Sequence, residues 1–196
     1  MTTQLIIPKT PATEQQFILP GRHSWQQFQT IQSVMENATG LKISYLDGVI
    51  ELMTTGETHE MLKKAIAILL ESYFLKQGIN FIPVGNATRE DETKEVSFEP
   101  DESYYLGEKK AHPDLAIEVA LTSGGKGKLE KYKRFGITEV WFWENNQLSV
   151  YHFRGEEYEE VSRSELLPEL DLELLAGCAK MPVLLEAVRE FNKGIS

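Results

Sequence analysis

Three acidic residues open the question of chemistry. In the stretch Asp114-Leu115-Ala116-Ile117-Glu118-Val119-Ala120-Leu121, alternation places Leu115, Ile117, Val119 and Leu121 on one side of an extended strand and Asp114, Ala116, Glu118 and Ala120 on the other. Asp114 and Glu118 are then roughly 13 Å apart, too far to hold one small cation. A better partner for Glu118 lies in the preceding run, "EPDESYYL", which can form a hairpin with "DLAIEVAL" about a loop near Lys109 and Lys110. In that register Asp101 stands opposite Glu118, and directly opposed side chains have Cβ atoms about 4.5–5.5 Å apart, within reach of a shared divalent ion. The small residues Ala116 and Ala120 leave room around such a site.

Two like charges held together call for a cation. Hard oxygen donors suit Mg²⁺ or Mn²⁺, ions that keep several waters and bind phosphate oxygens. The chemistry expected is metal-assisted phosphodiester hydrolysis, with a cationic side chain steadying the transition state. Lys126, Lys128, Lys131, Lys133 and Arg134 crowd into nine residues just beyond this strand and supply that charge. Lys126, Lys131, Lys133 and Arg134 are the candidate nucleic-acid contacts, against the alternative of a solvated helix face. A buried Glu118 must also find a partner. A structural ion pair with Lys128 would serve that need without any catalysis.

The elements that position these residues follow from pattern. Residues 1–20 read as a polar, proline-punctuated N-terminal arm, and residues 21–196 as a single domain. Ser24 and Gln27 form a capping box ahead of the apolar stripe Trp25, Phe28, Ile31, Val34 and Met35. Asp47-Gly48 joins two strands in a hairpin. A long helix runs from about Glu57 to Gln77 and stops at Gly78. "INFIPV", "EVSFEPDESYYL" and "DLAIEVAL" read as strands. A short helix follows from about Lys126 to Phe135, then the strands "TEVWFWE" and "QLSVYHF" about Asn145-Asn146, and a last helix from Pro182 to about Asn192. The expected fold is α+β, a mixed β-sheet flanked by helices.

Composition narrows the partners. With 20 Lys and Arg against 30 Asp and Glu, the net charge of −10 repels nucleic acid at long range, so any polyanion needs a local basic patch. No apolar run approaches a membrane span and no secretory signal is evident, which reads as a cytoplasmic chain. The lone Cys178 excludes an internal disulfide and reads as a packing residue. His59 reads as a satisfied packing histidine and His112 as a surface residue.

"EPDESYYL…PDLAIEVALTS…GKLEKYKRFGITEVWFWE" resembles the Uma-type bacterial proteins, a family labelled as restriction endonucleases. The matching elements are Pro100-Asp101, Pro113 to Val119 with Ser123, Lys128 with Tyr132, Gly136, and Glu139 with Trp141. The stretch 47–60, "DG-x-IELM-x-x-G-x-x-HE", fits as well, so the resemblance runs from about residue 23 to 175. It implies the restriction-endonuclease-like fold of the Pro-Asp…Asp/Glu-x-Lys nuclease superfamily, with Asp101 and Glu118 as metal ligands. It also implies a nucleic-acid substrate, DNA or RNA, and a homodimer. The superfamily lysine two residues after the strand glutamate is Ala120 here, and the resemblance points to Lys128 in its place. Glu60, at the start of the long helix, is the implied additional carboxylate and metal ligand. The rival expectation is a catalytically inactive module of the same fold that binds nucleic acid or a protein partner, which the acidic charge and Ala120 favour.

Overall fold

The computed structural model describes residues 14–121 and 125–195. Its strands divide between two sheets. The first holds β1 (Gln15–Ile18), β2 (Leu41–Leu46), β3 (Val49–Thr54), β5 (Arg89–Asp91) and β6 (Val96–Phe98) in the order β1-β3-β2-β6-β5, with every pairing antiparallel. The second holds β4 (Phe81–Pro83), β7 (Glu102–Leu106), β8 (Leu115–Ala120), β9 (Glu139–Glu144), β10 (Gln147–Phe153) and β11 (Tyr158–Val161), ordered β11-β10-β9-β8-β7-β4. Only the β8–β9 pairing is parallel, so this sheet is mixed.

Helix α1 (Trp25–Met35) begins with the expected capping box: the Gln27 amide donates to Ser24 Oγ at 3.3 Å, and the Ser24 amide to Gln27 Oε1 at 2.8 Å. The β2–β3 hairpin turns on Asp47 and Gly48, both at positive φ (46° and 83°), as a two-residue turn matched to strand twist requires. Helix α2 (Glu57–Gln77) ends at Gly78 in the left-handed conformation. It lays Ile66, Leu69, Leu70, Tyr73 and Phe74 on Leu115, Ile117 and Val119 of β8, in a core completed by α4 (Leu172–Ala179) and α5 (Leu184–Gly194). Helix α3 (Leu129–Lys133) covers the other face of the same sheet, where Tyr132 and Phe135 pack with Ala116, Val140 and Phe142. The alternation of β8 is therefore real, and both of its faces are buried. Cys178 is buried as packing.

Three elements differ from the sequence reading. "EVSFEPDESYYL" is two strands, β6 and β7, in different sheets, because the chain turns from one sheet to the other at Glu99-Pro100-Asp101, where proline has no amide to donate to a ladder. The segment expected as an arm enters the fold at its far end: β1 pairs with β3 from Gln15↔Thr54 to Ile18↔Glu51, while residues 1–13 lie outside the described residues. The two-stranded unit expected around Asn145-Asn146 gains β11 on the far side of β10.

Candidate active site

The β7–β8 ladder pairs Glu102 with Ile117, Ser103 with Ala116 and Tyr104 with Leu115. The pairing ends at Glu102↔Ile117, so Asp101 stands one residue past the ladder, toward the Glu118 end of β8. Asp101 sits at the crossing between the sheets, where its carboxylate is wholly enclosed and takes donors from three elements. Val119 N–H donates to Oδ2 at 2.7 Å, while Lys42 Nζ on β2 donates to Oδ1 at 2.5 Å. His59 Nε2, in the first turn of α2, lies 3.0 Å from the same Oδ1. The other ring nitrogen of His59 is 3.3 Å from Glu14 Oε2. Burial alone would lower the pKa of His59, but its bonds to Asp101 and Glu14 lift it to about 9 and keep it an imidazolium at neutral pH. Burial would raise the pKa of Asp101, yet His59 and Lys42 hold its carboxyl well below the usual carboxylate range. His59 is thus buried and satisfied, as expected of a packing histidine, but its partner is the site carboxylate.

Glu118, 3% exposed, is held from α3 and the 3-10 turn before it. Lys128 Nζ donates to its Oε2 at 2.7 Å, and the Tyr132 hydroxyl donates to Oε1. Burial opposes the charge of Lys128, but Glu118 raises its pKa, so it stays an ammonium and is a cation rather than a base. Burial and the Glu118 charge together push the Tyr132 phenol far up, so it remains a neutral donor. One turn along, Lys131 Nζ donates to Glu51 Oε2 on β3 at 2.8 Å and to Ser44 Oγ on β2 at 2.6 Å. Lys42, Ser44, Glu51, Glu118, Lys128 and Lys131 all border one cavity of about 30 Å³, room for water-sized guests.

Sequence reasoning missed Lys42, Ser44 and Glu51, although a signal existed. A two-residue turn at Asp47-Gly48 fixes the register Ser44↔Glu51 and Lys42↔Met53, which gathers these polar side chains on one face of an otherwise apolar hairpin.

The remaining expected residues lie elsewhere. Glu60 is not brought to Asp101 and Glu118: its carboxylate pairs with Lys63 at 2.5 Å and is 44% exposed, because the preceding residue, His59, occupies the inward side of α2. Lys133 pairs with Glu157 at 2.5 Å, and Arg134 with Asp47 at 2.7 Å and Glu130 at 3.1 Å. Neither is left as open positive surface. The side chain of Lys126, and Ser123, fall outside the described residues. His112 stacks edge-on to Phe135, ring centroids 4.9 Å apart.

As a donor set for a metal, the pair is hard and incompletely used. A carboxylate offers about four lone-pair sites; among the described residues Asp101 fills three and Glu118 two. No three His, Cys, Asp or Glu side chains converge among the described residues. Mg²⁺ needs only one or two carboxylates when waters and phosphate oxygens complete its shell, so Glu118 at the cavity fits such an ion, with the enclosed Asp101 outside the cavity's lining.

The Uma2 family, described as "Putative restriction endonuclease", matches residues 25–183. No curated protein matches the chain. Among the described residues no helix is long and apolar enough to cross a membrane.

Proposed function

Because the chain belongs to the Uma2 family, we propose that it is a cytoplasmic, divalent-metal-dependent endonuclease that hydrolyses phosphodiester bonds of DNA or RNA. Asp101 and Glu118 are the carboxylates that would hold Mg²⁺ or Mn²⁺, and Lys128 is the cation beside the scissile phosphate. The observation that supports the reading is that Asp101 accepts from the amide of Val119, the residue after Glu118, while the Lys128 ammonium lies 2.7 Å from Glu118. When bound, the ion supplies polarisation of the phosphorus centre and a lowered pKa for an attacking water.

The protein's own groups divide the rest of the work. Lys42 and His59 keep Asp101 ionised and in place, and Tyr132 orients Glu118. Lys128 takes the role that Ala120 cannot, and does so as a permanent positive charge facing the phosphate. Of the expected nucleic-acid contacts whose side chains are described, Lys131 is the one that borders the same cavity, where it is paired with Glu51. Glu60 stays outside the proposed ligand pair. A homodimer is proposed on family analogy alone.

A second reading has its own support. Glu14, Glu51, Asp101 and Glu118 face His59, Lys131, Lys42 and Lys128, so the buried cluster is charge-balanced by protein groups alone, as a catalytically silent nucleic-acid-binding or protein-binding relative would be. Thermal unfolding with added Mg²⁺ or Mn²⁺, followed by cleavage of plasmid and single-stranded substrates, separates the two. The nuclease reading expects the ion to raise the melting temperature and the wild type, but not Glu118→Gln, to cut. Stabilisation without cleavage leaves the silent relative, and the absence of both effects removes the nuclease reading.

A further inference from the structure

The proposed site lies in a recess. Asp101 is 1% and Glu118 3% exposed, and the cavity that Glu118 borders lies next to a groove of about 400 Å³ bordered by Ile18, Arg22, Asp47, Val49, Lys128 and Lys131. Both spaces share Glu51, Lys128 and Lys131, so the groove is the approach to the cavity. Arg22 donates to the Asp47 carbonyl and, among the described residues, forms no ion pair. Its charge is available to a phosphate.

Several cations outside the groove are engaged, and so are two of those that border it, Lys128 with Glu118 and Lys131 with Glu51. Lys133 is tied to Glu157, Arg134 to Asp47, and Arg154 to Glu159 and Glu165, on a chain whose net charge is −10. Proteins that grip duplex DNA typically neutralise about 6–10 phosphates. Three cations border this groove, of which Arg22 has no ion pair among the described residues while Lys128 and Lys131 are paired, and the acids Asp47 and Glu51 border it too. A duplex is also stiff, with a persistence length of about 50 nm, and does not dip easily into a narrow recess, whereas a single strand bends freely.

We infer that the site takes single-stranded nucleic acid, or the unpaired end of a duplex, threaded along the groove between β1 and α3 so that one phosphate reaches the cavity. This rests on the nuclease reading for the site and adds the strandedness of its substrate. Two copies side by side would double the number of contacts, so a preference for duplex is the result that contradicts it.

The test is fluorescence anisotropy of the full chain, in chelator, with a labelled DNA oligonucleotide either single-stranded or annealed to its complement, across a salt series. The expectation is single-strand binding at least about tenfold tighter than duplex binding. The logarithmic salt slope should be shallow, between about −0.7 for Arg22 alone and about −2 where Lys128 and Lys131 also exchange their carboxylates for phosphates. Arg22→Gln should reduce that slope by about 0.7, with a thermal melt reporting whether the variant is folded. Duplex binding equal to or tighter than single-strand binding overturns the inference and leaves the nuclease reading standing. Binding of neither overturns both. If Arg22→Gln does not fold, the wild-type preference alone decides.

Discussion

Asp101 Oδ2 accepts the amide hydrogen of Val119 at 2.7 Å, which ties the sheet crossing to the residue beyond Glu118. The same side chain draws Lys42 from the first sheet and His59 from α2, so one carboxylate joins three elements. Asp101→Asn keeps the shape but replaces an acceptor oxygen with a donor among three donors. It should cost about 3–5 kcal/mol, measured by denaturant unfolding, and should abolish any stabilisation by Mn²⁺. A neutral result would mean that the enclosed charge is not what joins the sheets.

Lys128 and Glu118 form a pair whose members are unequal. Lys128→Met leaves the recessed Glu118 with only the Tyr132 hydroxyl, and removing one partner of a buried pair costs about 3–5 kcal/mol. The double variant Glu118→Gln/Lys128→Met removes both charges and should recover most of that loss. Unfolding free energies of the two single variants and the double variant measure the coupling. Full additivity would show that the two groups do not sense each other.

Much of this arrangement was legible in the residue order because it is local. The Asp47-Gly48 turn, the Ser24–Gln27 box and the period-two pattern of 114–121 each depend on neighbours within a few residues, and the hairpin count that brings Asp101 to the Glu118 end of β8 needs only a loop length. What stayed hidden depends on the chain returning from afar. Lys42 meets Asp101 across 59 positions and Lys131 meets Glu51 across 80, and no periodicity encodes such meetings. The break at Glu99-Pro100 was obscured because β-rich residues flank it on both sides, although proline marked it. The three-residue strand β5 and the four-residue β11 are held by their partners rather than by an apolar pattern. For the basic cluster, sequence gave the charges but not the distant acids, Asp47 and Glu157, that answer them.

The His59 contacts set a pH dependence. Its pKa in the folded chain is about 9, above the ordinary histidine value of 6.5, so folding favours its protonated form. That contribution is complete below about pH 6.5 and is lost as pH rises through about 9. Thermal melts of wild type between these values should therefore show a fall in stability on the alkaline side that is absent from His59→Gln. Parallel profiles for the two proteins would show that the imidazolium is not what Asp101 and Glu14 hold.

Glu139 belongs to the motif shared with the family, yet its surroundings are those of an anchor. It is fully buried at the start of β9, where its Oε2 accepts from Trp141 Nε1 at 2.9 Å and Ser164 Oγ at 2.7 Å. Its Oε1 accepts from the amides of Glu165 and Leu166 at 2.6 and 3.1 Å, and His152 Nδ1 lies 3.1 Å away. Of these five groups, Ser164, Glu165 and Leu166 fasten the segment after β11 to the central sheet, and each charge-assisted bond is stronger than a neutral one. Glu139→Gln replaces one oxygen with an NH₂ that must face donors, so it should destabilise by about 2–4 kcal/mol. Because the ladder places Glu139 beside Leu115, at the end of β8 away from Glu118, the Mn²⁺-dependent rise in melting temperature should survive at a temperature where the variant is folded. Loss of that rise with stability intact would assign Glu139 to the site rather than to the scaffold.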